Sequence, residues 1–150
     1  MAADHGMPLP AESSLEAWRD WFRQFGHRTA LHPHGVELLS VNDDELVLAM
    51  DVGDHARQPY GLLHGGVSLM LAESAASLHA CWKVDLTKTV PVGIEISGSH
   101  LSSLRAGRVT ATARQIRRSR TLAHHVIDIR DTDGGRLLST VRMTNYYRPA

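Results

Sequence analysis

The sequence is poor in the features that define several large classes of protein. Its 150 residues contain one cysteine, Cys81, which excludes an intramolecular disulfide and is typical of a reducing cytoplasm. Lysine plus arginine equals aspartate plus glutamate, at 16 each, so no net charge favours nucleic acid or a membrane surface. No apolar run approaches a membrane span, and residues 1–10 lack the apolar segment of a secretory signal. We therefore expect one cytoplasmic globular domain over residues 1–150, with residues 1–12 as a flexible tail.

Metal-ligand patterns are also weak. The 10 histidines are dispersed along the chain. His32-x-His34 and the pair His124-His125 are loosely spaced, and no cysteine cluster accompanies them. The sequence therefore predicts no metal site.

The most informative stretch runs from Gln58 to Ser77. Gly61, Gly65 and Gly66 can adopt backbone angles closed to other residues and let another group approach the main chain. From residue 67 to residue 82 the pattern is helical and apolar on nearly all sides, which indicates a buried helix. That helix carries a single carboxylate, Glu73, which is costly to bury without a partner.

The spacing around Glu73 predicts a reactive site. Glu73 follows Gly65 by eight residues, a rise of about 12 Å along a helix. Ser77 lies one turn later on the same face. Free amides at the helix start, an acid and a hydroxyl are the parts of an acyl-transfer site. The alternative is that Glu73 lies on a solvated stripe and the glycines only form a turn.

The motif resembles a known family. Gln58-Pro59-x-Gly61-Leu62-Leu63-His64-Gly65-Gly66, followed by Leu71-Ala72-Glu73, is similar to the hotdog-fold acyl-CoA thioesterases. The branch it resembles includes 4-hydroxybenzoyl-CoA, 1,4-dihydroxy-2-naphthoyl-CoA and phenylacetate-type thioesterases and the enterobactin proofreading thioesterase. Similarity extends over the segment 92–100 and, more weakly, from Gly107 onward.

The expected fold is α+β, an antiparallel sheet wrapped around a long central helix. An extra N-terminal helix follows a capping-box pattern at Ser13-x-x-Glu16 and stops near Gly26. We expect this helix to pack on the edge of the domain. The alternative is that it covers one end of the acyl pocket. The predicted strands, in meander order, are residues 36–41, 45–52, 90–99, 108–116, 122–130 and 136–146. A turn at residues 131–135 joins the last two.

The resemblance implies a role for each residue of the motif. Glu73 would be the base or the direct nucleophile, and the Gly65 amide would bind the carbonyl oxygen. Gln58 and His64 would orient the thioester or the water, and Ser77 would be a helper hydroxyl. The simpler interpretation is that Gln58 and His64 only bond to their own loop, and that Ser77 bonds back to the carbonyl of residue 73.

The resemblance also implies contacts to the substrate. A basic strand-to-strand turn would hold pantetheine and nucleotide, and His100 would lie near the acyl group. The predicted binding residues are Gly66, His100, Arg117, Arg118, Ser119, Arg120 and Thr121. Relatives often have Arg-Pro where this chain has Ser102-Ser103, so a phosphate contact there is lost. Arg105, Arg108 or a residue of a neighbouring subunit could substitute, and the sequence does not choose between them.

Assembly and chemistry follow from the same resemblance. It implies a homodimer that forms the active site between subunits, paired into a homotetramer. No cofactor is expected, because coenzyme A is part of the substrate. Two alternatives stay open: a hotdog dehydratase of acyl thioesters, and a non-catalytic acyl-CoA-binding protein.

Overall fold

The structure, a computed structural model, describes residues 9–150 apart from the side chain of Phe25. Within these residues two α-helices accompany a six-stranded antiparallel sheet, which confirms the expected α+β class. The helices are α1 (Leu15–Phe25) and α2 (Gly65–Cys81). The strands are β1 (Glu37–Val41), β2 (Glu45–Asp51), β3 (Thr89–His100), β4 (Arg108–Arg118), β5 (Leu122–Asp131) and β6 (Leu137–Pro149). None of the helices in this part of the chain is long and apolar enough to cross a membrane.

The strand order corrects the expected meander. The sheet runs β1-β2-β4-β5-β6-β3, so β2 pairs with β4 and β3 lies at the opposite edge. The helix α2 lies between β2 and β3 in the chain and packs against one face of the sheet, so the chain crosses the sheet before β3 begins. As a result β3 pairs on one side only, with β6, and its other side is an open edge.

The core lies between α2 and the sheet. Small residues on the helix, Ala72, Ala75 and Ala76, are fully buried and allow the backbone to approach the strands closely. Leu48 and Met143 are among the large side chains that they meet in the same cluster. The expectation that this helix is buried on nearly all sides is wrong for the isolated chain, because its other side is partly exposed.

The helix α1 packs at the edge of the domain, as expected. Its cap is Ser14 and not Ser13, since the Ser14 hydroxyl accepts the Ala17 amide at 3.2 Å. Trp18, which is 2% exposed, packs edge-on against Trp82 with ring centroids 5.4 Å apart. The predicted tail falls partly on residues 1–8, which lie outside the described residues.

Arg118 closes the carboxyl end of α2. Its guanidinium donates to the backbone carbonyls of His79, Ala80 and Trp82 at 3.2–3.3 Å. The His79 carbonyl also accepts the Trp82 amide, and the Ala80 carbonyl also accepts the Tyr147 hydroxyl. A cation favours this negative end of the helix dipole. The adjacent thiol of Cys81 donates to the Ser77 carbonyl, and burial raises the pKa of Cys81 to about 12.

Two buried histidines tie α2 to β5. His79 Nε2 lies 3.0 Å from the Asn42 carbonyl, which can only accept, so the neutral His79 ring carries its proton there. His79 Nδ1 therefore accepts from His125 Nε2 at 2.9 Å. Within residues 9–150 the buried His125 Nδ1 has no hydrogen-bond partner. Burial, and secondly the neighbouring His79, lower the pKa of His125 to about 3.

This pair should make the domain less stable in acid. A histidine that stays neutral in the fold but takes up a proton when unfolded destabilises the fold as pH falls below 6.5, down to the folded pKa of about 3. We expect the free energy of unfolding of the wild type to fall more steeply than that of His125→Gln, by about 0.7 kcal/mol from pH 7 to 6 and about 1.2 kcal/mol from pH 6 to 5. Urea unfolding at pH 7, 6 and 5 measures both slopes, and equal slopes would contradict the prediction.

Candidate active site

A tight turn precedes α2. The Gln58 amide donates to the Leu62 carbonyl at 2.8 Å, and the Gly61 amide donates to the Gln58 carbonyl at 2.8 Å. Gly61 has a φ of +77°, in the left-handed region that glycine tolerates best. The Gln58 side-chain oxygen accepts the Tyr60 amide, so this side chain also braces its own loop.

His64 caps the amino end of α2. Its Nδ1 accepts the Gly66 amide at 2.8 Å, and its carbonyl accepts the amides of Val67 and Ser68. Among the described residues, no hydrogen bond reaches the amide of Gly65. Gly65 therefore presents an uncommitted N–H at the positive end of a 17-residue helix, which is a suitable donor for an oxyanion.

The side of Gly65 that would carry a Cβ is occupied by His100. A Cβ built on Gly65 would lie 2.5 Å from His100 Nε2, so only glycine fits against this ring. His100 is fixed by its Nδ1, which lies 2.8 Å from the Ser139 hydroxyl. A cavity of about 380 Å³ opens here, lined by Gln58, Leu62, Leu63, Gly65, Ser68, His100, Leu101, Ser102, Ser103, Leu138 and Ser139. The structure thus brings together three of the predicted site residues.

Glu73 lies in a second cluster. Its side chain is exposed on α2, where β3 approaches with Gly93. A Cβ built on Gly93 would lie 3.4 Å from Glu73 Oε1 and 3.9 Å from Asn145 Oδ1. Ser77 donates to that same Asn145 oxygen at 3.3 Å, and not back to the helix carbonyl. Glu73 and Ser77 are therefore together, but neither lines the cavity beside Gly65.

The predicted basic turn divides into two parts. Arg118 is bound to the end of α2, and Ser119 closes the β4–β5 turn by accepting the amides of Thr121 and Leu122. Arg117 and Arg120 are exposed. Their role in substrate binding stays a prediction.

The two arginines considered as substitutes are also engaged. Arg105 donates to the Tyr60 carbonyl at 3.1 Å, next to the Gln58 turn. Arg108 forms ion pairs with Glu37 and Asp51 at 2.8 and 3.0 Å. Between them, Arg105 is the one that borders the loop of the candidate site.

The weak histidine patterns bring no set of metal ligands together. In residues 9–150 no group of three or more histidine, cysteine, aspartate and glutamate side chains is placed to hold a metal ion. His124 lies on β5 with Nδ1 3.1 Å from the Thr144 hydroxyl, and its neighbour His125 belongs to the buried pair.

Sequence reasoning missed Gly93 and Asn145. Along β6 the buried positions alternate through Met143, Asn145 and Tyr147, which are 1%, 0% and 7% exposed. An amide at an inward position of a strand is a signal that was available from the sequence, since buried polar groups need partners.

Comparison with known proteins supports the resemblance. Residues 60–138 match the family model described as the thioesterase superfamily. A 1,4-dihydroxy-2-naphthoyl-CoA hydrolase of Listeria monocytogenes is 45% identical over 82 residues, which are 55% of this chain and 66% of that protein.

Solved structures match over a longer range. A crystal structure of a glutamine-to-alanine variant of a Pseudomonas aeruginosa thioesterase is 31% identical and has a TM-score of 0.85, covering 95% of this chain and all of that one. A thioesterase of Staphylococcus aureus, also with a glutamine replaced by alanine, is 34% identical, has a TM-score of 0.76, and covers 79% of this chain and 98% of that one. This chain belongs to the thioesterase superfamily and is a thioesterase of the hotdog fold.

Proposed function

We propose that this enzyme hydrolyses acyl-CoA thioesters with an aromatic or medium-chain acyl group, giving a free acid and coenzyme A. The observation that supports this proposal most is the position of the Glu73 carboxylate. It lies on the exposed side of α2, two turns from the Gly65 amide, which has no hydrogen-bond partner among the described residues. The coenzyme A part of the proposal is supported by the Listeria relative, whose name specifies a CoA hydrolase.

The chemistry needs an attacking oxygen and a charge acceptor. Glu73 takes a proton from water, or itself attacks the thioester carbon. The carbonyl oxygen becomes negative and is stabilised by the Gly65 amide and the positive end of α2. The carbon–sulfur bond then breaks, and the coenzyme A thiolate leaves and takes up a proton. In the direct-attack route the acyl group is left on Glu73 as a mixed anhydride, which water hydrolyses to the free acid and the Glu73 carboxylate.

Gln58 and His64 act at the Gly65 end of the site. Gln58 lines the cavity, with its oxygen committed to the loop and its NH₂ group as the donor toward substrate. His64 holds the Gly66 amide, which shapes the turn that presents Gly65. Two crystal structures of the Staphylococcus aureus relative replace a glutamine and a glutamate that are 15 positions apart, the same separation as Gln58 and Glu73.

Within one chain, Gly65 and Glu73 cannot both reach the carbonyl group of one thioester. Gly65 and Glu73 are separated by about 12 Å of helix, whereas an oxyanion donor and an attacking group must both lie about 3 Å from the reacting atoms. The open edge of β3 lies beside Glu73 and leaves its backbone groups free to pair with a second copy. We therefore place each site between two chains, with Gly65 from one and Glu73 from the other.

The phosphates of coenzyme A need cations at the rim of the site. Arg117, Arg118 and Arg120 are all exposed, but the guanidinium of Arg118 is committed to the carbonyls at the end of α2. We assign contacts with the nucleotide to Arg117 and Arg120. Arg118 instead stabilises the carboxyl end of α2.

The direct test is release of free thiol from benzoyl-CoA and hexanoyl-CoA, followed with a chromogenic disulfide. Steady turnover of either substrate is expected. Saturable binding without thiol release would reject hydrolysis of these substrates in favour of a binding protein. A single turnover in ¹⁸O-water then separates the two routes, because label that enters the Glu73 carboxylate first indicates direct attack.

A further inference from the structure

Asn145 is a buried amide within the Glu73 cluster. It lies on the inward face of β6, is 0% exposed, and pairs with Gly93 of β3 and Ala123 of β5 in the sheet. Its Oδ1 accepts the hydroxyl proton of Ser77 at 3.3 Å. This contact joins residues 68 positions apart and connects the central helix to the last strand.

The other end of the amide is unused. Among the residues that the structure describes, the buried Asn145 Nδ2 has no hydrogen-bond partner. A buried donor without a partner is destabilising, because it loses its hydrogen bonds to water and gains none in the fold. An apolar side chain would avoid this cost, so the amide at this position calls for a role other than packing.

Close packing at Gly93 brings the amide near Glu73. Glu73 Oε1 and Asn145 Oδ1 both lie within 4 Å of the point where a Cβ of Gly93 would stand. The Met143 methyl carbon lies 2.6 Å from the same point, so a glycine at residue 93 lets β3 pack against Met143 beside the exposed Glu73 carboxylate. Ser77, Glu73 and the Asn145 amide therefore converge on one side of β3.

We propose that Asn145 is a positioning residue, which orients the Ser77 hydroxyl for the water that Glu73 activates. This inference rests on the proposed hydrolysis, in the form in which Glu73 is the base. Because the Ser77 proton is donated to Asn145 Oδ1, the Ser77 oxygen is left as an acceptor. It can hold one O–H of a water molecule while Glu73 accepts the other.

The water is then held with a lone pair free for attack. Its oxygen bonds to the thioester carbon, its proton passes to Glu73, and the carbonyl electrons move to oxygen. When the carbon–sulfur bond breaks, the thiolate takes up that proton, and Glu73 is regenerated. Asn145 touches neither the water nor the substrate in this scheme, and its effect passes through Ser77.

The test compares variants at Asn145 and Ser77 by steady-state thiol release. We expect Asn145→Leu, which has a similar shape and no polar group, to lower kcat about 10-fold with KM within about twofold, in the range of a lost hydrogen bond to a reacting group. Ser77→Ala should cost about as much in the wild type and little in the Asn145→Leu background, because the two residues act as a unit.

A pH profile tests whether residue 145 lies close enough to Glu73 to influence it. Asn145→Asp keeps the acceptor oxygen but adds a carboxylate near Glu73, so the acid limb of the kcat/KM profile should move up by about one pH unit. The control is Thr144→Val on the same strand, which removes the hydroxyl bonded to His124 and should leave the profile unchanged.

The outcomes are distinct. A wild-type kcat in Asn145→Leu overturns the proposal. It is also overturned if the Ser77→Ala effect is additive with Asn145→Leu and the acid limb of Asn145→Asp does not move. If Asn145→Leu does not fold, the isosteric Asn145→Asp variant and its pH profile decide. An inactive wild type would refute the proposed hydrolysis, and this inference with it, whereas an active wild type with indifferent Asn145 variants refutes the inference alone.

Discussion

Glu73→Ala should lower turnover of benzoyl-CoA or hexanoyl-CoA by at least about 10²-fold, the size expected for losing an acid–base group. The side chain is exposed on α2, so its removal leaves no cavity and should not destabilise the fold. Thiol release measured at saturating substrate gives kcat, and a thermal melt followed by circular dichroism checks that the fold is intact.

The matched control for this variant is Glu16→Ala. Glu16 is an exposed glutamate on a helix, at the domain edge in the first turn of α1. It should retain the wild-type kcat. A Glu73→Ala enzyme that turns over at the wild-type rate would remove this carboxylate from the mechanism, whatever its position on the helix.

Mixing two inactive variants should restore activity. If each site takes Gly65 and Gln58 from one chain and Glu73 from the other, a mixed dimer of Glu73→Ala and Gln58→Ala has one site with both defects and one intact site. Random exchange makes half of the dimers mixed, so the mixture should reach about a quarter of wild-type activity. The measurement is thiol release after co-refolding the two variants in equal amounts.

The control for mixing is each variant refolded alone, together with a mixture of Glu73→Ala and Ser77→Ala. Because Glu73 and Ser77 belong to the same half, this second mixed dimer has no site free of defects and should gain no activity. Activity that stays at the level of the separate variants in the first mixture would place the whole site within one chain.

The helices and most strands follow from local pattern. The glycine-rich turn and the apolar period after it predicted α2 within two residues of its observed start at Gly65. Strand order did not follow in the same way, because the position of β3 in the sheet depends on where the chain leaves α2. A meander is the simplest arrangement of six strands, but the crossing by α2 moves β3 to the far edge.

The site residues that lie close together in the sequence were predictable. Gln58, Gly65 and Glu73 stand in one motif, and the structure places Gln58 and Gly65 at one cavity. The contacts of Arg118 and Asn145 were not predictable, because the partner of each lies far along the chain. Arg118 meets carbonyls 36–39 positions away, and Asn145 meets a hydroxyl 68 positions away.

The half-buried thiol of Cys81 has a practical consequence. With its pKa raised to about 12, it holds almost no thiolate at neutral pH, and thiolate is the form that attacks disulfide reagents. A colorimetric titration of released coenzyme A should therefore start from a flat baseline, without a contribution from the folded enzyme. The same reagent would report unfolding, because denaturation would expose one titratable sulfhydryl per chain.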